Sequence, residues 1–222
     1  MNFCSLCDVR PQSICAEMNE DEIRAISKTM AHHSVKEGHA IATEGEPVSH
    51  LNIIVSGTFR LVRMLEDGRR QITGFMFPGD FVGMSRGDSS YTAEALEPSL
   101  ICSFAHNFLD QMSEKHPGIK DRLIARGSSE LAKAQDHIVL LGKNTAEERV
   151  LSFLKLIGRA RRGDDRLSTR IYLSMPRQDI ADFLGLRMET LSRTFAKLKK
   201  TGHLKTVSGR FVELGEAFER AG

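Results

Sequence analysis

The chain has 222 residues, 41% of them hydrophobic and 27% charged, with a formal net charge of +2. That length suits two domains with real cores, and the composition is that of an ordinary globular protein rather than a disordered one. No apolar run approaches the roughly 18 residues that span a bilayer, and residues 1–22 carry neither a basic n-region nor an apolar h-region. No secretory leader or membrane anchor is therefore expected, and the protein is expected in the cytoplasm.

The small net charge hides an asymmetry. Residues 143–222 hold 17 Lys and Arg against 10 Asp and Glu, while residues 1–142 hold 14 against 19. A basic C-terminal part suits a polyanionic partner; a solvated basic surface explains the same count. Three of the four cysteines, Cys4, Cys7 and Cys15, crowd the start, and Cys102 stands alone. In a reducing compartment a disulfide framework is disfavoured, and clustered thiols point to metal or redox chemistry.

Asn19 and Glu22 form a capping box that predicts a helix over Glu20–His32, with Ile23, Ile26 and Met30 facing inward. From Val35 to Ser103 the texture changes to short apolar stretches, such as Leu51–Val55 and Phe59–Val62, punctuated by glycines. Asp67-Gly68 is a hairpin-turn signal, and turns at this spacing predict an antiparallel β-roll or sandwich. Pro117-Gly118 opens a long helical pattern reaching Leu141. Its apolar positions Ile119, Leu123, Gly127, Leu131, Ala134, Ile138 and Leu141 recur at intervals of four or three, the spacing of a coiled-coil seam. Such a helix extends about 36 Å, long for packing on a small roll alone. A dimer interface explains the seam better than an intrachain core stripe.

Thr145-Ala146-Glu147-Glu148 is a second capping box, opening a helix through Val150, Phe153, Leu154 and Ile157, and Arg159–Arg166 reads as a charged loop. Beyond it, Ser174 is expected to cap a helix with Pro176 in its first turn and Ile180, Ala181 and Leu184 inward. Gly185 supplies a tight turn, and a second helix follows from about Arg187 with Leu191, Phe195 and Leu198 inward. That is helix-turn-helix spacing. Met188, Glu189, Ser192 and Arg193 lie outward near the start of the second helix, where side chains reach base edges in a major groove. Arg grips guanine with two bonds, Glu accepts from cytosine and Ser contacts either edge. Arg177, Lys197, Lys199 and Lys200 are the expected phosphate contacts. Leu204–Leu214 reads as a hairpin around Ser208-Gly209, which makes the domain winged.

With these pieces in order, the chain resembles the family of the cyclic AMP receptor protein and the fumarate-and-nitrate-reduction regulator over essentially its whole length. ITGFMFPGDFVGM, LLGKNTAEERV and DIADFLGLRMETLSR look specifically like the second branch. The resemblance implies an α+β fold: an N-terminal antiparallel, cupin-like double-stranded β-roll sensor domain, a long dimerisation helix and a C-terminal winged helix-turn-helix. The implied plan is a cysteine-bearing arm and helix over 1–34, the roll over 35–105, the dimerisation helix over 106–142 and the DNA-binding domain over 143–222. It also implies an operator of TTGAT-N4-ATCAA type read by Glu189, Ser192 and Arg193. Thr194 departs from the family, which usually has an aliphatic residue there. The loop of Glu66, Asp67, Gly68 and Arg69 occupies a place where the family contacts RNA polymerase, which implies transcriptional activation.

Nucleotide-binding members of the family carry Gly-Glu followed by Arg-Ser or Arg-Thr. Here Met84 follows Gly83 and Tyr91 precedes Thr92, while Arg86 is out of register. The phosphate's counter-charge is missing, so no cyclic nucleotide is expected. Four thiolates suit a 4Fe–4S cluster or tetrahedral zinc. The resemblance implies the cluster, one per subunit, held by Cys4, Cys7, Cys15 and Cys102, which oxygen converts to 2Fe–2S and then destroys. DNA binding by a homodimer then becomes anaerobic. Ala134 stands where oxygen-responsive relatives often carry an acid that opposes pairing, so some cluster-free dimer is expected to survive in air. The same regulator with structural zinc or thiol redox sensing is the alternative. No P-loop, dinucleotide fingerprint or Ser/His/Asp order supports an enzyme. The eight histidines, His32 and His33 among them, supply haem-ligand candidates, a weaker alternative.

Overall fold

The N-terminal helix is shorter than its pattern predicts. In the computed structural model, which describes residues 4, 7–16, 18–28, 30–143, 145–160 and 169–220, helix α1 covers Glu20–Ile26. The capping box forms as expected: the Asn19 amide donates to Glu22 Oε2 at 2.8 Å and Asn19 Oδ1 accepts from the Glu22 amide at 3.0 Å. Such a cap contributes about 1 kcal/mol. Ala31 and His32, the last two residues expected in the helix, instead open strand β1 (Ala31–Val35), all five residues of which pair with a long central strand. A ladder of tertiary hydrogen bonds outweighs weak local helix propensity.

Seven more strands follow: β2 (Ala40–Ala42), β3 (His50–Ser56), β4 (Phe59–Met64), β5 (Arg70–Met76), β6 (Phe81–Val82), β7 (Thr92–Ala95) and β8 (Ser99–Ala105). They form two four-stranded antiparallel sheets, β1-β8-β3-β6 and β2-β7-β4-β5. Between them lies a core of Val35, Ile54, Phe59, Met76, Val82, Ala93, Ala95 and Ile101. The turn into β4 needs glycine: Gly57 has φ +93°, and a Cβ there would overlap the Ser99 side chain.

The first sheet carries apolar side chains on both faces. Its outer face presents Leu51, Ile53, Cys102 and Phe104 to the N-terminal arm, to α1, and to helices α2 (His106–Lys115) and α3 (Pro117–Leu141). Ile119 is buried in this cluster and Leu123 packs against it. The arm is tied down by polar contacts: Arg122 donates to the Ser13 carbonyl at 3.2 Å, and Arg126 donates to the Gln12 carbonyl.

The chain divides into two compact units, Met1–Ala132 and Lys133–Gly222, with the division falling inside α3. The second unit contains α4 (Ala146–Ala160), β9 (Arg170–Tyr172), α5 (Arg177–Phe183), α6 (Met188–Lys200), β10 (Leu204–Ser208), β11 (Phe211–Leu214) and α7 (Glu216–Arg220). Thr145 and Glu148 complete the second capping box. Most of the charged loop expected after α4 lies outside the described residues. The wing gains a strand that the pattern did not suggest, since β9 pairs with β11 to give the order β10-β11-β9. Ser174 does not cap α5. Pro176 occupies the N-cap position without a side-chain bond, and the buried Ser174 hydroxyl has no partner among the described residues.

Candidate nucleic-acid interface and cysteine centre

Helix α6 separates its two faces cleanly. Leu191, Thr194, Phe195 and Leu198 are buried, while Glu189, Ser192, Arg193, Lys197, Lys199 and Lys200 are exposed. The helix is positioned by the turn before it. Gly185 adopts φ +60°, a left-handed conformation suited to glycine, and the Leu186 amide bonds back to the Ala181 carbonyl at 2.9 Å. Thr194 fits beneath the helix because its hydroxyl donates to the Thr190 carbonyl at 2.8 Å, which satisfies the polar group inside an apolar contact.

Two of the expected phosphate contacts sit differently from the others. Lys197 pairs with Glu147 at 2.5 Å, an exposed pair that contributes at most about 1 kcal/mol. Arg177 lays its guanidinium 4.2 Å from the Phe195 ring centroid. Its Nη1 is buried without a hydrogen-bond partner among the described residues, and burial lowers its pKa. Lys199 and Lys200 are exposed on the surface.

Sequence patterns missed the groups that fix the end of α5. His137 stacks on Phe183 with centroids 3.9 Å apart, its Nε2 lies 2.8 Å from the Phe183 carbonyl, and Arg149 donates to the Leu184 carbonyl at 3.1 Å. These contacts go to backbone carbonyls, so no side-chain spacing announces them.

The four cysteines converge. Cys4, Cys7, Cys15 and Cys102 line one cavity of about 20 Å³, together with Arg10, Met30, His32 and Phe104. Cys102 is carried on β8 opposite Ile53 of β3 and His32 of β1. The arm reaches it through a compact turn: Arg10 donates to the Met18 carbonyl at 2.8 Å, and the Cys15 amide donates to Ser13 Oγ at 3.1 Å. None of the four is in a disulfide. Met30 is wedged among them, its thioether 3.1 Å from Cys102 Sγ and 3.6 Å from Cys4 Sγ. Among the described residues no three His, Cys, Asp or Glu side chains stand together in metal-ligating geometry.

Burial shapes the thiol chemistry. It raises Cys4, pushes Cys15 up to about 11 and raises Cys102 further, with the neighbouring cysteines adding repulsion in each case. Several negative charges cannot share this space without a cation to balance them. The donor set fits a soft, positively charged centre, and loading it would release protons.

Around Gly83, residues other than the family's nucleotide motif stand at the motif positions. The Gly83 amide lies 3.4 Å from the Tyr91 hydroxyl, Met84 Cε would lie 3.7 Å from a Cβ on Gly127, and Arg86 is engaged with Asp110 at 2.9 and 2.5 Å. On α3, Ile124, Leu131 and Ile138 are 68%, 61% and 69% exposed at heptad spacing. The outward apolar line therefore starts at Ile124. Ile119 and Leu123, expected in the seam, pack on the roll's cluster instead. Leu141 is half-buried, with a methyl 3.5 Å from where a Cβ on Gly185 would stand. The Glu66–Arg69 segment is an exposed turn closed by the Asp67–Arg69 ion pair at 2.7 Å. Among the described residues no helix is long and apolar enough to cross a membrane.

Residues 32–116 match the family model of the cyclic nucleotide-binding domain, and residues 148–215 match that of the Crp-like helix-turn-helix domain. The nitrogen fixation regulation protein FixK of Bradyrhizobium diazoefficiens is 35% identical over 209 residues, covering 94% of this chain and 88% of that protein. The fumarate and nitrate reduction regulatory protein of Escherichia coli is 33% identical over 217 residues, covering 95% and 86%. The structure of FixK2 from Bradyrhizobium japonicum superposes with a TM-score of 0.78 at 32% identity, covering 86% of this chain and 94% of that one. With a roll, a long helix and a winged helix-turn-helix in that order, and with relatives at this identity along nearly its full length, the chain belongs to the Crp/Fnr family of transcription regulators.

Proposed function

We propose that the protein is a homodimeric, DNA-binding transcription regulator whose operator occupancy is set by an oxygen-labile 4Fe–4S cluster, one per subunit, on Cys4, Cys7, Cys15 and Cys102. The observation that carries this reading is the convergence of four thiols outside any disulfide, three from the arm and one from β8, on a single cavity. When bound, the cluster supplies a covalent tie between arm and roll that oxygen can remove. The chain's own residues do the rest. Arg10, Ser13, Arg122 and Arg126 hold the arm's turn against the outer face of the roll, and Met30 is the side chain that must yield as the cavity fills. The arm packs beside the start of α3, so its fastening bears on the helix that carries the outward line of Ile124, Leu131 and Ile138.

Pairing along that line gives two α6 helices to one operator. Glu189, Ser192 and Arg193 read each TTGAT-type half-site, Lys199 and Lys200 contact phosphates, and Arg177 and Lys197 join them once released from Phe195 and Glu147. The exposed turn at Glu66–Arg69 serves as the contact with RNA polymerase in activation. Without a resident cluster, each subunit engages one half-site and loses the gain of two linked sites.

Anaerobic purification followed by iron and acid-labile sulfide analysis tests the reading. The expected result is four iron and four sulfide per chain, a broad visible absorbance, and loss of both in the Cys102→Ser variant. Stoichiometric zinc in a colourless sample would instead support the structural-metal form of the same regulator. A metal-free sample whose thiols oxidise reversibly would support thiol sensing.

A further inference from the structure

A helix leaves its last carbonyls without partners of its own, and α5 is too short to hide them. Two are satisfied by the turn that follows: the Gly185 amide donates to the Asp182 carbonyl at 3.2 Å, and the Leu186 amide to the Ala181 carbonyl at 2.9 Å. The next two are satisfied from other elements. The Phe183 carbonyl lies 2.8 Å from Nε2 of His137 on α3, and the Leu184 carbonyl accepts from Arg149 of α4 at 3.1 Å. A carbonyl only accepts, so Nε2 carries the proton. His137 also lies flat on the buried Phe183 ring, with centroids 3.9 Å apart and planes within 4°. A flat stack and a directed hydrogen bond together fix both the tilt and the slide of the end of α5 against α3.

The end of α3 from Lys133 belongs to the second compact unit, together with α5 and α6. Ile138, the residue after His137, is 69% exposed on the outward apolar line. Successive helix residues point about 100° apart, so one turn of α3 sends one side chain outward and its neighbour to the DNA-reading pair. Since α5 has only seven residues and Gly185 turns the chain directly toward α6, a rotation at the end of α5 is passed on to Glu189, Ser192 and Arg193. The other contacts leave that rotation open. Leu141 meets Gly185 through a methyl group alone, and apolar contact has no direction. Arg149 also donates to the Lys143 carbonyl at 3.1 Å, so it ties the turn to the α3–α4 connection rather than to α3 itself.

We propose that His137 is a positioning residue that sets the spacing between the two half-sites the protein reads. This rests on the reading of a homodimer on a palindromic operator, and not on the cluster. In paired subunits, the distance and angle between the two α6 helices follow from how each is held on its own α3. One base pair added or removed between half-sites moves them about 3.4 Å and turns them about 35°. A firm grip rejects that mismatch, and a loose one accommodates it.

The test is binding of the anaerobically prepared full chain, at fixed salt, to TTGAT–ATCAA duplexes with three, four or five central base pairs and to a duplex with one half-site. The wild type should favour four by at least about tenfold, since only that spacing engages both half-sites. His137→Ala should weaken the four-base-pair duplex about threefold to tenfold, the effect of one hydrogen bond. It should also flatten the preference among spacings while leaving the single half-site unchanged. His137→Gln, which keeps an N–H donor without the flat ring, should fall between the two and carries the test if His137→Ala does not fold. Wild-type spacing preference in both variants would overturn the proposal. So would an equal loss on the single half-site and the palindrome, the mark of general support to the fold. Equal wild-type binding to all three spacings would overturn the paired-operator reading and the proposal with it. An iron-free wild type whose preference is lost in His137→Ala would support the proposal while removing the cluster reading.

Discussion

Cys15 shows how one side chain sets a condition on the whole site. Burial moves its thiol from the ordinary 9.0 up to about 11, the Ser13 hydrogen bond opposes that, and Cys4 and Cys7 add repulsion. A thiol that keeps its proton longer when folded stabilises the fold fully below the unfolded value, and that stabilisation is lost as pH rises through the folded one. The metal-free protein should therefore lose on the order of 2 kcal/mol between about pH 9 and pH 11 from this group. Cys4 and Cys102 push in the same direction. Thermal melts across that window should fall more steeply for the wild type than for Cys15→Ala; parallel slopes would refute the assignment. At this scale the four cysteines were legible as a chemical type, because clustered thiols in a reducing compartment call for an explanation. Their meeting point was not, because it depends on β-sheet register. The Thr194 departure had a local answer in its bond to Thr190, while Arg177 over Phe195 and His137 on Phe183 left no periodic trace.

Elements were read best where pattern and packing agree. The turn at Gly185, the inward faces of α5 and α6 and the length of α3 follow from apolar spacing and from the conformational needs of glycine. The helix expected through His32 failed because β8 offers five residues a ladder that outweighs local preference. The seam on α3 was legible as a stripe, but spacing alone could not tell which side chains face the roll. Ile119 and Leu123 do, and Leu131 does not. Since Leu131 is exposed in the single chain, Leu131→Asp should leave the fold intact. It should raise the dimer dissociation constant at least about tenfold, because two facing carboxylates would be buried in an apolar interface. Sedimentation equilibrium checks this, and an unchanged dimer would move the interface elsewhere.

At the scale of the molecule, charge and thiols divide between the ends of the chain. The acidic majority, residues 1–142, holds all four cysteines, and the basic remainder holds the recognition helix. That division explains why the family could be read from the sequence while the sensor could not be derived from it. The helix-turn-helix is a local pattern within 28 residues, 176–203, whereas the sensor requires the arm to meet β8. The most direct test is the affinity of one anaerobically prepared sample for a palindromic TTGAT-N4-ATCAA duplex, measured before and after air at fixed salt. A loss of at least about 100-fold, the gain that linked half-sites provide, is the predicted result, in step with loss of iron. Unchanged affinity in a sample that has lost its iron would contradict the account.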